Sequence, residues 1–238
     1  MTIEALSKRP SVTIVGTIHL YEEARPRLRA ILDELAPRVV TVEISRFSIE
    51  FRQRHLRIWE ERFNLAVMRL GLLGQASTVL ELLKRQISMP YEWQVAYDFG
   101  RETGARVIPI DLSELSKTEL PLWEKELLSE ESIKNAFLAS KERSIQGHFD
   151  AIKRKASSLL RGDGHQIPEP LHPLAWLGDP YWEKRERMLF QRIMRILRVT
   201  DSLVHISGWM HCVTGSPWRT LADYLMDAGR GVRVVAAF

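Results

Sequence analysis

The sequence predicts an α/β fold with a mainly parallel central sheet flanked by helices, and with a helical insertion after the second strand. Short β-branched runs alternate along the chain with longer segments whose apolar residues recur at helical spacing. Five such runs interleaved with helices are typical of a mainly parallel sheet. The chain has 238 residues, 45% of them hydrophobic, which suffices for a sizeable core. We therefore predict one domain over residues 1–238.

Strands are predicted where β-branched residues form short buried runs, two of which end at a glycine. The predicted strands are 11–16, 38–44, 105–111, 201–208 and 231–236. Pro109 is expected near the end of the third strand because proline cannot donate a bond to the sheet. The order of strand, helix and strand within the first 44 residues indicates a right-handed parallel unit.

Helices are predicted where apolar residues recur at helical spacing between these runs. They cover 22–35, two segments within 47–86 that break near Gly71 and Gly74, 90–103, 119–160, 181–199 and 217–228. Residues 47–90 form the helical insertion. Residues 161–180 are rich in Gly, Pro and His without periodicity, which predicts a long loop, and long loops in compact domains are often functional.

Composition excludes several classes of protein. The net charge is +4, but 34 basic and 30 acidic residues are mixed along the chain, unlike the concentrated basic face of a nucleic-acid binder. Cys212 is the only cysteine, so neither an intramolecular disulfide nor a four-thiolate zinc site can form. No apolar window is long enough for a membrane span, and residues 1–10 do not resemble a secretory signal. We expect a cytoplasmic protein that binds neither membranes nor nucleic acid.

Two segments share the pattern Gly-x-x-His directly after a predicted strand. They are 16–19, which ends at His19, and 208–211, which ends at His211. Glu43 and Asp111 end the second and third strands. In an open parallel sheet, ligands bind beyond the carboxyl ends of the strands, so all four side chains are expected at one edge. Two imidazoles and two carboxylates suit a divalent metal or general acid–base chemistry.

Each of these residues also has a structural interpretation. A histidine after a strand is often only hydrogen-bonded to its neighbours, and a buried Glu43 would need a partner such as Arg46 or Arg52. Asp111 is equally well explained as a cap for a helix at 112–115. Glu22 and Glu23 follow His19 closely, but acidic residues are routine in the first turn of a helix.

The ordered motifs resemble the TraB/PrgY/GumN and Tiki superfamily, which is distantly akin to ChaN haem-binding and erythromycin esterase proteins. The resemblance spans essentially the whole chain. It rests on 16–19 (Gly-Thr-Ile-His), 40–43 (Val-Thr-Val-Glu), 186–188 (Glu-Arg-Met), 208–211 (Gly-Trp-Met-His) and Gly215 before a helix at 221–229. The chain departs from the family in two places: Arg46 and Arg52 both miss the expected spacing after Glu43, and Gly215 comes one residue late. The identity of the site arginine is therefore open.

The resemblance implies that His19, Glu43, His211 and an arginine surround the working pocket. Tiki members are similar to metal-dependent peptidases, and PrgY-type members resemble pheromone-inactivating proteins. Erythromycin esterase relatives hydrolyse an ester through a histidine and carboxylates, whereas ChaN relatives bind haem. The resemblance therefore indicates which residues form the site but does not identify the substrate.

The first functional hypothesis is a metal-assisted hydrolase of a peptide or ester-type substrate. His19, His211 and Glu43 would hold a divalent ion (Mn, Co or Zn), Glu43 would activate water, and Arg187 or Arg46 would stabilise the oxyanion. The residues expected to contact substrate are Gly16, Thr17, Gly208, Asp111, Arg46 and Glu186.

Two further hypotheses are of different classes. The same edge could bind haem or a short peptide without catalysis, covered by Trp209, Met210 and the 161–180 loop. The apolar helices of 47–86, including Leu72 and Leu73, could instead form a homodimer interface or simply cap the core.

Other residues have less support for a role at the site. A Cys212 nucleophile activated by His211 is conceivable, but neighbours in sequence usually point apart. His165 and His172 could close over a substrate from the long loop, although ordinary surface histidines are the commoner case, and His205 is expected to be structural.

Overall fold

A five-stranded sheet with all strands parallel forms the centre of the molecule, and its strands lie side by side in the order Arg106–Pro109, Val39–Val42, Ser202–Gly208, Ser11–Thr17 and Val232–Ala236. The computed structural model describes residues 11–75, 77–140, 144–162, 180–215 and 219–238. The predicted α/β class is confirmed. The strands are β1 (Ser11–Thr17), β2 (Val39–Val42), β3 (Arg106–Pro109), β4 (Ser202–Gly208) and β5 (Val232–Ala236).

Helices fill the connections between the strands, with short 3-10 turns at Glu22–Ala24, Leu120–Leu122 and Trp209–Cys212. The described α-helices are α1 (Arg25–Leu35), α2 (Arg46–Arg69), α3 (Thr78–Ile87), α4 (Tyr91–Thr103), α5 (Ser113–Glu119), α6 (Trp123–Glu126), α7 (Glu130–Ala139), α8 (Ile145–Leu160), α9 (Pro180–Ile196) and α10 (Leu221–Asp227).

The sheet order brings β4 between β1 and β2, although 159 residues separate the end of β2 from the start of β4 along the chain. Thr17 of β1 lies opposite Gly208 of β4, and Val42 of β2 lies opposite both Ile206 and Pro109. The carboxyl ends of four strands therefore meet at one edge. This is the edge of an open α/β sheet at which ligands bind.

Helices cover both faces of the sheet. The apolar residues of α1 recur at helical spacing, so Leu28, Ile31 and Leu32 are all buried against one face, where α4 also packs. On the opposite face, Leu189 and Ile193 of α9 pack with residues of α10. A strand that is buried on both faces has a short continuous run of apolar residues, which is the pattern that predicts the second strand.

The helical insertion is confirmed as two helices that break near the two glycines. Gly71 and Gly74 have φ of +68° and +76°, a conformation that glycine adopts without strain. The insertion shares a separate core with α7 and the segment that precedes it, and this core includes the fully buried Trp59. Leu72 joins that core, whereas Leu73 is 65% exposed. A homodimer through this region stays a prediction.

Several boundaries differ from the sequence prediction. The segment 119–160 is divided between α5, α6, α7 and α8, because a 3-10 turn at Leu120–Leu122 and serine caps at Ser129 and Ser144 restart the helix. The last helix begins at Leu221, after Thr220, whose side chain forms a capping box with Asp223. The predicted start at residue 217 lies outside the described residues. Most of the predicted 161–180 loop, with His165 and His172, lies outside the described residues. Among the described helices, none is long and apolar enough to cross a membrane.

Candidate active site at the carboxyl edge of the sheet

A cavity of about 260 Å³ opens at the carboxyl edge of the sheet. Its wall includes His19 after β1, Glu43 after β2, Asp111 after β3 and Arg185 from α9. The far wall is formed by α2 and by residues around α5 and α6. The predicted convergence of strand-end side chains at one edge is therefore present in the structure.

Glu43 is the centre of this arrangement and is almost completely buried. Its Oε1 forms an ion pair with Arg185 Nη2 at 2.7 Å and lies 2.9 Å from His211 Nε2, which donates a hydrogen bond to it. Its Oε2 accepts one from the backbone N–H of Gly208 at 2.6 Å. Burial opposes ionisation of this carboxyl, but the positive charges of His211 and Arg185 hold its pKa well below the usual range. Glu43 is therefore an anionic anchor for the site.

The arginine of the site is Arg185, which sequence reasoning missed. Its Nε and Nη2 form a bidentate pair with Asp111, at 2.8 and 2.6 Å. Arg192, two turns further along α9, donates to the carbonyls of Ile110 and Asp111 and fixes the helix against the end of β3. Asp111 therefore pairs with Arg185 and does not cap the following helix, whose first residue has no side-chain cap.

The arginines expected at the site lie outside it. Arg187 is 58% exposed and pairs with Glu183, because α9 buries its face at 182, 186 and 189 and turns 187 towards solvent. Arg46 is 84% exposed and pairs with Glu50 on the same helix. Neither side chain borders the cavity.

His211 is held between two carboxylates and is only 3% exposed. Its Nε2 faces Glu43 and its Nδ1 contacts Glu186, which also accepts a hydrogen bond from the backbone N–H of Leu221. The indole of Trp182 stacks on the imidazole ring at a centroid distance of 4.9 Å. Burial lowers the pKa of His211, but the charges of Glu186 and Glu43 outweigh burial and raise it to about 10. His211 is thus a buried imidazolium at neutral pH.

We expect His211 to carry protons on both ring nitrogens at pH 8, and His205 to be neutral even at pH 5. Burial lowers the pKa of His205 to about 4, which makes it a matched control in the same spectrum. Nitrogen-15 chemical shifts of the two rings measure both states directly. The raised pKa of His211 stabilises the fold fully below about pH 6.5, and this contribution is lost as pH rises towards 10. A His211 ring that titrates near pH 6.5 would contradict this assignment.

His19 differs from His211 in its exposure and in the partners of its two ring nitrogens. Its side chain is 56% exposed, and its Nδ1 lies 2.9 Å from Oε1 of the buried Glu92. Its Nε2 lies 4.0 Å from Glu43 Oε2 and has no hydrogen-bond partner among the described residues, and the residue borders the cavity. Partial burial lowers the pKa of His19, but the hydrogen bond to Glu92 and the charges of Glu92 and Glu43 outweigh this effect, so the net pKa is above its usual value. One ring nitrogen is thus oriented while the other faces the cavity.

Glu92 is the second site residue that sequence reasoning missed. It lies in the first turn of α4, where an acidic residue is routine, so its position alone gives no signal. It is nevertheless 4% exposed and also accepts a hydrogen bond from Thr17 Oγ1 at 3.2 Å. Thr17 donates to the carbonyl of Ser207 as well, at 3.0 Å. Thr17 therefore helps to position Glu92 but does not border the cavity itself.

The two motif glycines are required by close packing and not by a left-handed backbone. A Cβ on Gly208 would lie 2.8 Å from His19 Nε2, and its φ is −55°. A Cβ on Gly16 would lie 3.0 Å from the Cys212 sulfur and 3.2 Å from the Trp209 Cα. The glycines let the β1 and β4 loops approach each other, which brings both histidines to Glu43.

Cys212 does not have the properties of a nucleophile. Its thiol is 2% exposed, and burial raises its pKa well above the usual value, so the reactive thiolate is disfavoured. His205 is buried within β4 with its Nδ1 3.0 Å from Thr41 Oγ1, as expected of a structural residue. Glu22 borders the cavity, whereas Glu23 pairs with Arg85.

The donor atoms of the site do not fit the metal ligand set expected from the sequence. Both nitrogens of His211 face carboxylates, which requires a proton on each and leaves no lone pair for a metal. Both oxygens of Glu43 already accept hydrogen bonds. Only His19 retains an accessible nitrogen. Within the described ranges, no group of three histidine, cysteine or acidic residues is arranged to hold a metal ion.

Comparison of the chain with protein-family models, with curated proteins and with solved structures finds no significant match. The resemblance to the TraB/PrgY/GumN and Tiki superfamily therefore stays a prediction from the motifs, and the function must be argued from the site.

Proposed function

We propose that this chain is a hydrolase of small ester or amide substrates that uses His19 as a general base and needs no metal ion. The observation that carries the proposal is the pair formed by His19 and Glu92. A buried carboxylate fixes Nδ1 of the imidazole, the ring borders the cavity, and Nε2 has no hydrogen-bond partner among the described residues. A histidine oriented by a carboxylate is a recurring arrangement for proton transfer in hydrolysis.

The proposed reaction uses water held in the cavity. Neutral His19 takes a proton from the water at Nε2 while the water oxygen attacks the substrate carbonyl carbon. The resulting tetrahedral oxyanion collapses, the bond to the alkoxide or amine breaks, and the leaving group takes the proton back from His19. Glu92 stabilises the imidazolium that forms between these two steps.

Arg185 is the group proposed to bind the oxyanion. Its bonds to Glu43 and Asp111 use Nε and Nη2, and within the part of the chain that the structure describes Nη1 has no acceptor. The two carboxylates hold the guanidinium rigidly against the cavity wall. A fixed cation that needs no reorganisation is effective in stabilising charge that develops in the transition state.

The size of the cavity favours a small substrate. At about 260 Å³ it lies just below the range of roughly 300–1,000 Å³ typical of small-molecule sites. A haem or peptide binder, the alternative expected from the sequence, would need a larger opening. Binding without turnover remains the second candidate because His19 Nε2 is accessible to any ligand.

The experiment is hydrolysis of p-nitrophenyl acetate and of small amides by chelator-treated protein, followed over pH. We expect turnover without metal, with kcat/KM rising as pH rises through the His19 pKa, which lies above the ordinary 6.5. Glu92→Gln removes the negative charge that raises this pKa and leaves at most a neutral, weaker hydrogen bond, so the rise should move to lower pH. Thr103→Val, at the far end of α4 and outside the cavity wall, is the control.

The outcomes of this experiment distinguish a metal-independent hydrolase from a metal-assisted one and from a non-enzymatic binder. Turnover that appears only after Mn, Co or Zn is added would overturn the metal-independent version and favour the metal-assisted hydrolase. No turnover of any ester or amide with or without metal would favour the non-enzymatic binder. A pH profile unchanged by Glu92→Gln would remove His19 and Glu92 from the mechanism.

A further inference from the structure

Arg52 of α2 is a buried cation on the wall of the same cavity, and the hydrolytic mechanism does not use it. The residue is only 6% exposed, and its guanidinium lies 4.7 Å from the centre of the Trp123 ring. Burial lowers its pKa to about 10, which still leaves it charged at neutral pH.

Every hydrogen bond of Arg52 in the described chain goes to a neutral acceptor. Nη1 donates to the carbonyls of Gln86 and Ser88, both at 2.7 Å, and Nε donates to Ser48 Oγ at 3.3 Å. Among the described residues, no acceptor is bonded to Nη2 and no carboxylate lies within 4.0 Å of the guanidinium. The carbonyls are at the end of α3, so Arg52 also has a role in holding that helix end.

The other cations on the cavity wall differ from Arg52 because each has a carboxylate partner. Arg185 pairs with Glu43 and Asp111, and His19 pairs with Glu92. Arg85 pairs with Glu23 and Glu81. A buried charge without an ionic partner is costly unless a ligand supplies one. A bound anion would therefore give Arg52 the ionic partner that the other cations on this wall already have.

We propose that Arg52 binds a carboxylate of the ligand. The substrate would then be an ester or amide that carries, besides the reacting group, a carboxylate that does not react. The guanidinium fork matches a carboxylate in shape and donates charge-assisted hydrogen bonds to it. Ser48 and Trp123 flank Arg52 on the cavity wall and would surround the bound group. This inference rests on the proposed function for the reacting bond, but the anion site itself does not need catalysis.

The test compares binding of 4-fluorobenzoate and 4-fluorobenzamide to the full chain by fluorine-19 NMR. The two probes are nearly equal in shape and differ in charge. We expect the benzoate to bind about tenfold or more tightly than the benzamide, which is the preference that one charge-assisted contact gives. Arg52→Met should remove the preference and Arg52→Lys should retain part of it. Arg46→Met, an exposed arginine on the same helix, should leave it unchanged.

Arg52→Met loses the contacts to the end of α3 and could misfold for that reason. A second measurement therefore does not depend on this variant. In the unaltered protein, the Nε–Hε signal of Arg52 should shift when 4-fluorobenzoate is added. Benzoate binding that leaves this signal unmoved would overturn the proposal, as would equal binding of the two probes, binding of neither, or a preference that survives in Arg52→Met.

His19→Ala separates this proposal from the proposed function. The variant should still prefer the benzoate, since Arg52 is intact, even if it no longer hydrolyses any ester. Benzoate preference in an unaltered protein that shows no turnover would support the anion site while contradicting the hydrolase.

Discussion

Substitution of His19 by alanine is expected to reduce kcat/KM for ester hydrolysis by a factor of about 10²–10⁴, the range that general acid–base groups contribute. His19 is the site histidine with an accessible nitrogen, and its Nδ1 is already oriented by Glu92. Its side chain is 56% exposed, so its removal leaves no large internal void. The melting temperature should therefore change little, and steady-state kinetics beside thermal unfolding measures both effects.

The matched control is His55→Ala. His55 lies on α2, where it stacks on Phe51 and does not border the cavity, so turnover should not change. Equal losses in the two variants would mean that the effect comes from the fold and not from the site. Full activity in His19→Ala would contradict the assignment of the base.

Substitution of Glu43 by alanine is expected to lower the free energy of unfolding by about 3–5 kcal/mol, the usual loss when one partner of a buried ion pair is removed. The Glu43 side chain is 3% exposed, pairs with Arg185 and accepts hydrogen bonds from His211 and Gly208. Its removal leaves a buried imidazolium and a guanidinium short of one negative charge. Urea denaturation at pH 7 measures the loss.

Glu43→Gln and Glu50→Ala are the controls for this prediction. Glutamine keeps the volume and part of the hydrogen bonding, so it should be less harmful than alanine. Glu50 pairs with Arg46 on the surface, and its removal should change stability by no more than about 1 kcal/mol. A loss for Glu43→Ala as small as that for Glu50→Ala would show that the buried network does not stabilise the fold.

The two Gly-x-x-His loops are alike in sequence but have different roles. His211 is fixed as a cation by Glu43 and Glu186 and helps to hold the site together. His19 has only one carboxylate in hydrogen-bond contact and keeps Nε2 at the cavity. The symmetry of the motifs therefore suggested a shared metal, whereas the partners of each ring separate a structural histidine from a reactive one.

Local sequence was sufficient to predict the class of fold and the edge at which the site lies. Short β-branched runs and helical spacing are properties of neighbouring residues, and the carboxyl ends of parallel strands lie on one side whatever their order. His19, Glu43, Asp111 and His211 follow strands, so their common location could be predicted before the structure. The helical break near Gly71 and Gly74 was predictable for the same local reason.

Only the tertiary structure decided which side chains act together. Glu92 and Thr17 are 75 residues apart, and Arg185 and Asp111 are 74 apart, so no spacing rule connects them. The face that α9 turns to the sheet selects Arg185 over Arg187, although both lie in the same charged segment. The sequence by itself determined the sheet, its working edge and the four strand-end residues, because these follow from local pattern. The partners that set the charge of each histidine were decided by packing of distant elements, because ionisation depends on burial and on neighbouring charges in space.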